Sequence, residues 1–129
     1  MKNLEHQEQV KVVNYLNILK KQKKIITFFA IPNGGSRHKL EAINLKREGV
    51  VSGVPDLCIL LKDYTLYIEM KRPKKILKSG KKSSENLASE EQLAFIESLE
   101  STSYAYGVVA YGFEEAYKYV EEFTRYERN

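Results

Sequence analysis

The chain has 129 residues, of which 43% are hydrophobic and 29% charged, and its formal net charge at pH 7 is +4. This composition is that of an ordinary globular protein, and the length suits one domain, residues 1–129. No apolar run approaches the roughly 20 residues of a membrane helix, and the N-terminal residues lack the apolar segment of a secretory signal. We therefore expect a cytoplasmic protein without a membrane partner. A single cysteine, Cys58, excludes an internal disulfide and a metal-thiolate cluster within one chain.

The first half of the chain predicts a helix, a strand and a second helix. Apolar residues recur at helical spacing through residues 4–24, which predicts a long first helix. Residues 25–31 are almost wholly apolar and are followed by Pro-Asn-Gly-Gly, which predicts a buried strand that ends in a tight loop. Residues 36–48 suit a second helix that is terminated by Gly49.

Two further strand-like runs, residues 56–61 and 65–70, are joined by three residues, a spacing that predicts a β-hairpin. Asp56 begins the first run and Glu69 lies near the end of the second. In an antiparallel hairpin the start of one strand lies beside the end of the next. The two carboxylates are therefore expected to meet at one edge of the sheet.

The last part of the chain predicts a loop, a helix, a strand and a final helix. Residues 71–88 lack periodicity and are basic, which predicts a mobile loop. Ser89 and Gln92 have the S-x-x-Q spacing of a capping box and predict a helix start. A strand at residues 104–110 and a helix from residue 113 follow. The order predicts an α/β fold with a mixed central sheet flanked by helices, in which three antiparallel strands precede a helical crossover.

The hairpin carries side chains suited to phosphate chemistry, because strand alternation places Glu69 and Lys71 on one face. Two adjacent carboxylates repel each other, and Mg²⁺ relieves that repulsion while it also binds waters and phosphate oxygens. The main-chain carbonyl of Met70 is a further candidate ligand. A bound metal polarises phosphate and activates water, and Lys71 is suited to orient that water or to stabilise the transition state. The structural alternative is that Asp56 caps a strand while Glu69 and Lys71 form an exposed ion pair.

Basic residues are concentrated between residues 71 and 82, where no acid occurs: Lys71, Arg72, Lys74, Lys75, Lys78, Lys81 and Lys82. Such a run suits a polyanion, and a solvated loop is the alternative. Other candidates for DNA contacts follow the first strand or end the second helix: Asn33, Ser36, Arg37, Lys46 and Arg47. A glycine-rich turn and a solvated helix face explain these residues equally well. The two histidines, His6 and His38, lack the spacing of metal ligands.

The sequence resembles the VRR-NUC (virus-type replication-repair nuclease) domains of the PD-(D/E)xK nuclease superfamily. The resemblance includes Glu5 and Gln9, the long block IPNGGSRHKLEAINLKREGVVSGVPDL at residues 31–57, IEMK at residues 68–71, and S-x-x-Q at residues 89–92. It implies a restriction-endonuclease-like core, which agrees with the order of the predicted elements.

The resemblance also implies roles for particular residues. Asp56, Glu69 and Lys71 correspond to the residues that carry catalysis, and Gln92 is implied to face the active centre. Capping and catalysis would then compete for the Gln92 side chain.

A glutamate of the first helix is implied to support the metal, often through water. Glu5 is favoured because it matches the pattern E-x-x-x-Q with Gln9 and continues the apolar stripe of this helix. Glu8 is the alternative, and an acid at either position also complements the helix dipole.

The implied activity is Mg²⁺-dependent endonucleolytic hydrolysis of DNA, with Mn²⁺ able to substitute for Mg²⁺. Short stand-alone proteins of this kind resemble homodimers that resolve four-way (Holliday) junctions. We therefore expect branched DNA as substrate, a homodimer, and a role in repair or recombination in a bacterial or phage-infected cell. The alternatives are a flap-cleaving or restriction-like nuclease and a non-catalytic DNA-binding module, and the intact Asp56, Glu69 and Lys71 argue against the last.

Overall fold

The computed structural model describes residues 4–32, 39–82 and 87–127, with elements in the predicted order. The helices in these ranges are α1 (Leu4–Lys21), α2 (Lys39–Arg47), α3 (Glu90–Ser98) and α4 (Phe113–Glu127). The strands are β1 (Thr27–Ala30), β2 (Leu57–Leu60), β3 (Thr65–Lys71) and β4 (Ala105–Tyr111). Among the helices described, none is both long enough and apolar enough to span a membrane.

The strands form one mixed sheet in the order β1-β2-β3-β4. The β1–β2 and β2–β3 pairs are antiparallel, and the β3–β4 pair is parallel. The parallel pair requires a crossover connection, and α3 lies within that connection, as the sequence predicts. The prediction of an α/β fold with a mixed central sheet is confirmed.

The first strand differs from its prediction, because β1 is an edge strand and is not buried. Its exposed side is clearest at Phe29, of which 49% is accessible to solvent. Ile25, which precedes β1, does belong to the core. An apolar run indicates that a strand is hydrophobic, but it does not indicate the position of the strand in the sheet. Among the described strands β1 pairs with β2 alone, which places β1 at the edge.

The core lies between one face of the sheet and the helices α1 and α4. Side chains alternate along a strand, so every second residue of β3 points to this core. The core side chains of these three elements include Val12, Leu16, Leu66, Ile68, Met70, Ala116 and Val120. The opposite face of β3 packs on α3, where the rings of Tyr67 and Phe95 lie 5.6 Å apart. The same alternation places Glu69 and Lys71 on the α3 side.

The basic segment after β3 contains a short hairpin, so the prediction of an aperiodic loop is wrong for residues 76–82. An isolated antiparallel bridge joins Ile76 and Lys82. The Leu77 N–H donates to the Lys81 carbonyl at 2.8 Å, and Gly80 supplies the positive φ of 84° that the turn requires. Residues 76–82 are called the basic hairpin below.

The turn before β2 touches the first turn of α3 at Gly53. A Cβ at this position would lie 2.5 Å from the main-chain carbon and oxygen of Glu91 and 2.9 Å from the Gln92 nitrogen. The φ of Gly53 is +87°, which also disfavours any side chain. Absence of a side chain at Gly53 therefore lets α3 approach the end of the sheet.

Replacing Gly53 with alanine should destabilise the protein more than the same change at Gly49. Gly49 has a φ of +102°, but a Cβ added there would meet nothing within 4 Å, so Gly49→Ala isolates the cost of the backbone conformation. That cost is about 1–2 kcal/mol, and the clash at Gly53 should add about 1–3 kcal/mol. Urea denaturation of both variants measures the difference, and equal losses would contradict the proposed close approach.

Candidate active site

Asp56 and Glu69 meet at the edge of the sheet, as the hairpin predicts. Leu57 pairs with Ile68, so Asp56, which immediately precedes β2, lies next to Glu69 in the register. One oxygen of Asp56, Oδ2, accepts a hydrogen bond of 2.7 Å from the Met70 N–H. The main chain of β3 thus fixes one Asp56 oxygen beside Glu69.

Glu69 is buried, with 3% of its surface exposed, and its two oxygens have different surroundings. Oε2 accepts a hydrogen bond of 2.9 Å from Nε2 of Gln92 and lies 3.6 Å from Nζ of Lys71. Oε1 is also buried, but it has no hydrogen-bond partner among the described residues. Lys71 is only 8% exposed, so the alternative of an exposed ion pair is wrong.

Gln92 uses both ends of its amide, and the expected competition between capping and the active centre does not arise. Its Oε1 accepts from the Ser89 N–H at 2.8 Å, and Ser89 Oγ accepts from the Gln92 N–H at 3.1 Å. These two bonds form the predicted capping box. The remaining Nε2 donates to Glu69, so the helix cap itself orients the carboxylate.

The electrostatics of the acidic pair oppose double ionisation. Burial, followed by the neighbouring Asp56 charge, raises the pKa of Glu69 to about 8, although Lys71 acts in the opposite direction. Burial also raises the pKa of Asp56, against the Met70 hydrogen bond and the Lys71 charge. At neutral pH the two carboxylates are therefore fully ionised together only when an added positive charge offsets their repulsion.

An open cleft of about 390 Å³ lies between Asp56 and the first turns of α1. Its lining includes Glu5, His6, Gln9, Asp56 and Met70. Glu5 is close enough for its charge to contribute to the raised pKa of Glu69. The structure therefore brings Glu5 and Gln9 to the acidic pair, and it adds His6 to the wall of the same cleft.

Glu8 has a different contact. Its Oε1 accepts a hydrogen bond of 2.9 Å from the Phe113 N–H at the start of α4, and its Oε2 lies 2.7 Å from Nζ of Lys11. Burial opposes ionisation, but Lys11 and the Phe113 N–H hold the pKa of Glu8 below its usual range. Glu8 therefore caps α4, and of the two glutamates Glu5 is the one placed beside the cleft.

The donor set fits Mg²⁺. Glu69 offers a buried oxygen without a partner, Asp56 adds a second carboxylate, and the adjacent cleft leaves space for water and a phosphate. Within the described ranges, no cluster of three or more His, Cys, Asp or Glu side chains is arranged to hold a metal. Mg²⁺ does not require such a cluster, because it is usually held by one or two carboxylates and keeps several waters.

The predicted DNA contacts fall into three groups. Asn33, Ser36 and Arg37 lie outside the described residues, and Lys46 and Arg47 are exposed at the end of α2. The basic segment begins beside the acidic pair and extends into the basic hairpin; its exposed lysines are Lys75, Lys78, Lys81 and Lys82. Arg72 and Lys74 are half-buried.

Lys74 is held in place by a contact that the sequence did not indicate. Its Nζ lies 4.4 Å from the ring centroid of Tyr111, the last residue of β4, in a cation–π contact. Tyr111 is also paired with Lys71 in the sheet. Local sequence patterns do not predict the roles of Tyr111, Gly53 and Glu8, because each role depends on tertiary neighbours. Only the S-G-V-P turn around Gly53 gives a local signal.

Fold and site together define an α/β domain of nuclease type, with an acidic pair and a lysine at the edge of a mixed sheet. No protein-family model matches the chain, and no curated protein matches it. A solved structure described as "VRR_NUC domain protein" matches with a TM-score of 0.63 and 25% sequence identity, over 95% of this chain and 89% of that chain. The match covers nearly all of both chains and confirms the resemblance to VRR-NUC domains. That family name implies the PD-(D/E)xK superfamily.

Without metal, the protein should lose stability as the pH rises through about 8. The pKa of Glu69 is raised from 4.5 to about 8, so the native state retains a proton that the unfolded chain has released. The resulting stability is fully present below pH 4.5 and is lost as the pH passes the folded pKa. Urea denaturation in EDTA between about pH 5 and pH 9 measures this dependence.

Glu69→Gln should flatten that profile and should be more stable than the unchanged protein at the alkaline end. Asp63→Asn, at the opposite end of the same hairpin, is the matched control and should leave the profile unchanged. Mg²⁺ should stabilise the unchanged protein more at alkaline than at acidic pH, because binding requires the ionised carboxylates. A Glu69→Gln profile identical to that of the unchanged protein would contradict the assignment.

Proposed function

We propose that this domain is a Mg²⁺-dependent endonuclease that hydrolyses DNA phosphodiester bonds and also accepts Mn²⁺. The observation that carries the proposal is the buried Glu69 Oε1, which has no hydrogen-bond partner among the described residues and belongs to a side chain next to Asp56, itself part of the lining of an open cleft. A purely structural ion pair would have both carboxylate oxygens satisfied. The similarity to a VRR-NUC domain protein supports the same activity.

Each residue has a distinct role in this mechanism. Asp56, Glu69 Oε1 and the Met70 carbonyl would hold the metal, which when bound supplies a Lewis acid for the phosphate and an activated water. Gln92 fixes Glu69 through Oε2, so that Oε1 remains available as a metal ligand. Lys71, held near Glu69 and largely screened from solvent, provides positive charge for the phosphate in the transition state. Glu5 lies across the cleft and would support the metal through water.

Asp56→Asn and Glu69→Gln should each lower cleavage at least about 100-fold while DNA binding persists, because each removes a metal-binding charge but leaves the basic surface. Lys71→Ala should lower cleavage by roughly 10²–10³-fold and retain Mg²⁺ binding. Gel assays and calorimetry measure these quantities, with Asp63→Asn as the matched acid control. Full activity of Asp56→Asn would exclude this site, and loss of Mg²⁺ affinity in Lys71→Ala would exclude its separate role.

Branched DNA is the proposed substrate, and four-way junctions are the preferred form. A panel of linear duplex, flap, fork and four-way junction, each with Mg²⁺, Mn²⁺ or EDTA, tests both the metal and the substrate. Preference for flaps would favour the alternative of a flap-cleaving enzyme, and preference for one linear sequence would favour a restriction-like one. Binding without cleavage under every condition would leave a non-catalytic DNA-binding module.

The lysines of the basic segment should account for much of the salt dependence of binding. The variant replaces five of them by glutamine: Lys74, Lys75, Lys78, Lys81 and Lys82. If all five contact phosphate, the slope of log K against log salt on duplex DNA should fall by roughly 4 to 5. The charge-matched control replaces five lysines at the opposite end of the sheet: Lys20, Lys21, Lys23, Lys24 and Lys62. If the two variants give equal slopes of log K against log salt, the phosphate contacts lie outside the basic segment.

A homodimer is proposed because resolution of a junction requires two symmetric incisions, and each chain has one acidic pair of this kind in its described part. Sedimentation velocity should give the mass of two chains. A dimer with one unchanged and one Asp56→Asn subunit should nick a cruciform plasmid without linearising it. A monomer in both free and DNA-bound form would contradict this proposal and leave the nuclease assignment intact.

A further inference from the structure

The basic hairpin exposes two aliphatic side chains among its lysines. Ile76 is 76% exposed and Leu77 is 48% exposed. Both belong to the bridged part of the hairpin, since Ile76 pairs with Lys82 and the Leu77 N–H donates to the Lys81 carbonyl. The first strand of the hairpin therefore exposes an aliphatic pair close to the lysines of the same hairpin.

The base of this hairpin is fixed to the catalytic end of the sheet. The Lys71 carbonyl accepts a hydrogen bond of 2.9 Å from the Gly112 N–H, and Lys74 lies on the Tyr111 ring. Pro73 packs so closely on Gly112 that a Cβ there would lie 3.0 Å from the proline ring. Lys71 and the first residue of the hairpin are thus joined by a short segment with three anchoring contacts.

Positive charge and exposed aliphatic groups in one small hairpin fit a ligand that has both anionic and apolar surfaces. DNA has both where its bases are unstacked: the phosphates suit the lysines, and the exposed base faces suit Ile76 and Leu77. In intact duplex the base faces are covered by stacking, so insertion carries an unstacking cost. At a branch point that cost is smaller, because the bases are already partly unstacked.

We propose that the basic hairpin is a wedge whose Ile76 and Leu77 insert between bases at a DNA branch point and so select branched substrates. This proposal rests on the proposed DNA substrate and adds the residues that recognise its shape. It also fixes the cutting position. Ile76 lies five positions after Lys71, and a chain of this length spans at most about 18 Å. At 3.4 Å per nucleotide, incision should fall within about five nucleotides of the branch.

The test uses four-way junctions with 2-aminopurine at the branch, bound in EDTA so that no cleavage occurs. The unchanged protein should increase 2-aminopurine fluorescence, because insertion unstacks the base. The double variant Ile76→Ser with Leu77→Ser should lose that increase, and its preference for junction over linear duplex should fall roughly tenfold or more. The conservative double variant Ile76→Leu with Leu77→Ile should retain both properties.

Ile26→Ser is the matched control, because Ile26 is 59% exposed and lies at the opposite end of the sheet. Fluorescence and selectivity should be unchanged in this variant. The wedge proposal is overturned if the serine double variant keeps its fluorescence increase, or if incisions fall far outside the expected window. Cleavage would still support the nuclease in that case. Fluorescence that depends on Ile76 and Leu77 without any cleavage would support the wedge and reject the nuclease.

An anionic membrane surface also combines charge with apolar material, so vesicles of phosphatidylserine and phosphatidylcholine form the second arm. We expect these vesicles not to bind the protein in a manner that depends on Ile76 and Leu77. If the serine double variant loses vesicle binding while its junction binding and fluorescence are unchanged, the hairpin contacts lipid and the DNA wedge is rejected.

Discussion

Repulsion between the buried Glu69 and the partly buried Asp56 is the constraint around which the site is arranged. The β2–β3 register forces Asp56 and Glu69 together, and burial raises the pKa of both. Ionisation of both groups is unfavourable for the isolated fold at neutral pH, because burial limits the solvation of a second charge. Lys71 offsets only part of this cost. A bound divalent cation would offset the repulsion between Asp56 and Glu69. The pair therefore lowers the stability of the metal-free fold, but it holds two metal ligands in place before the metal binds.

The second requirement is that α3 approaches the sheet closely enough to hold Glu69. Gly53 permits this approach because any side chain there would meet the main chain of Glu91. The capping box then fixes the Gln92 amide at the start of α3, and its free Nε2 reaches Glu69 Oε2. A turn, a helix start and a strand end therefore determine the orientation of one carboxylate. Substitutions at Gly53 would affect the site although this residue has no chemistry of its own.

Local patterns were sufficient to predict much of the fold. The hairpin around Asp56 and Glu69 follows from strand alternation and a short turn, and the start of α3 follows from the Ser89 capping box. Local patterns did not predict features that depend on tertiary contacts. The apolar run of β1 lies at an edge of the sheet, and part of the basic segment folds into a hairpin. The choice between Glu5 and Glu8 also needed the tertiary structure, since both lie near the same helix face.

The contact of Glu8 with Phe113 explains how α1 can carry a residue of the site. Glu8 and Phe113 are 105 positions apart, so this bond forms only after β4 and α4 have packed on the sheet. It joins the first turns of α1 to the start of α4, next to the Gly112 N–H that binds the Lys71 carbonyl. Glu5 lies one helical turn before Glu8, and its position at the cleft therefore depends on contacts across the whole domain. Metal affinity should consequently report complete folding of the chain, and not formation of the β2–β3 hairpin alone.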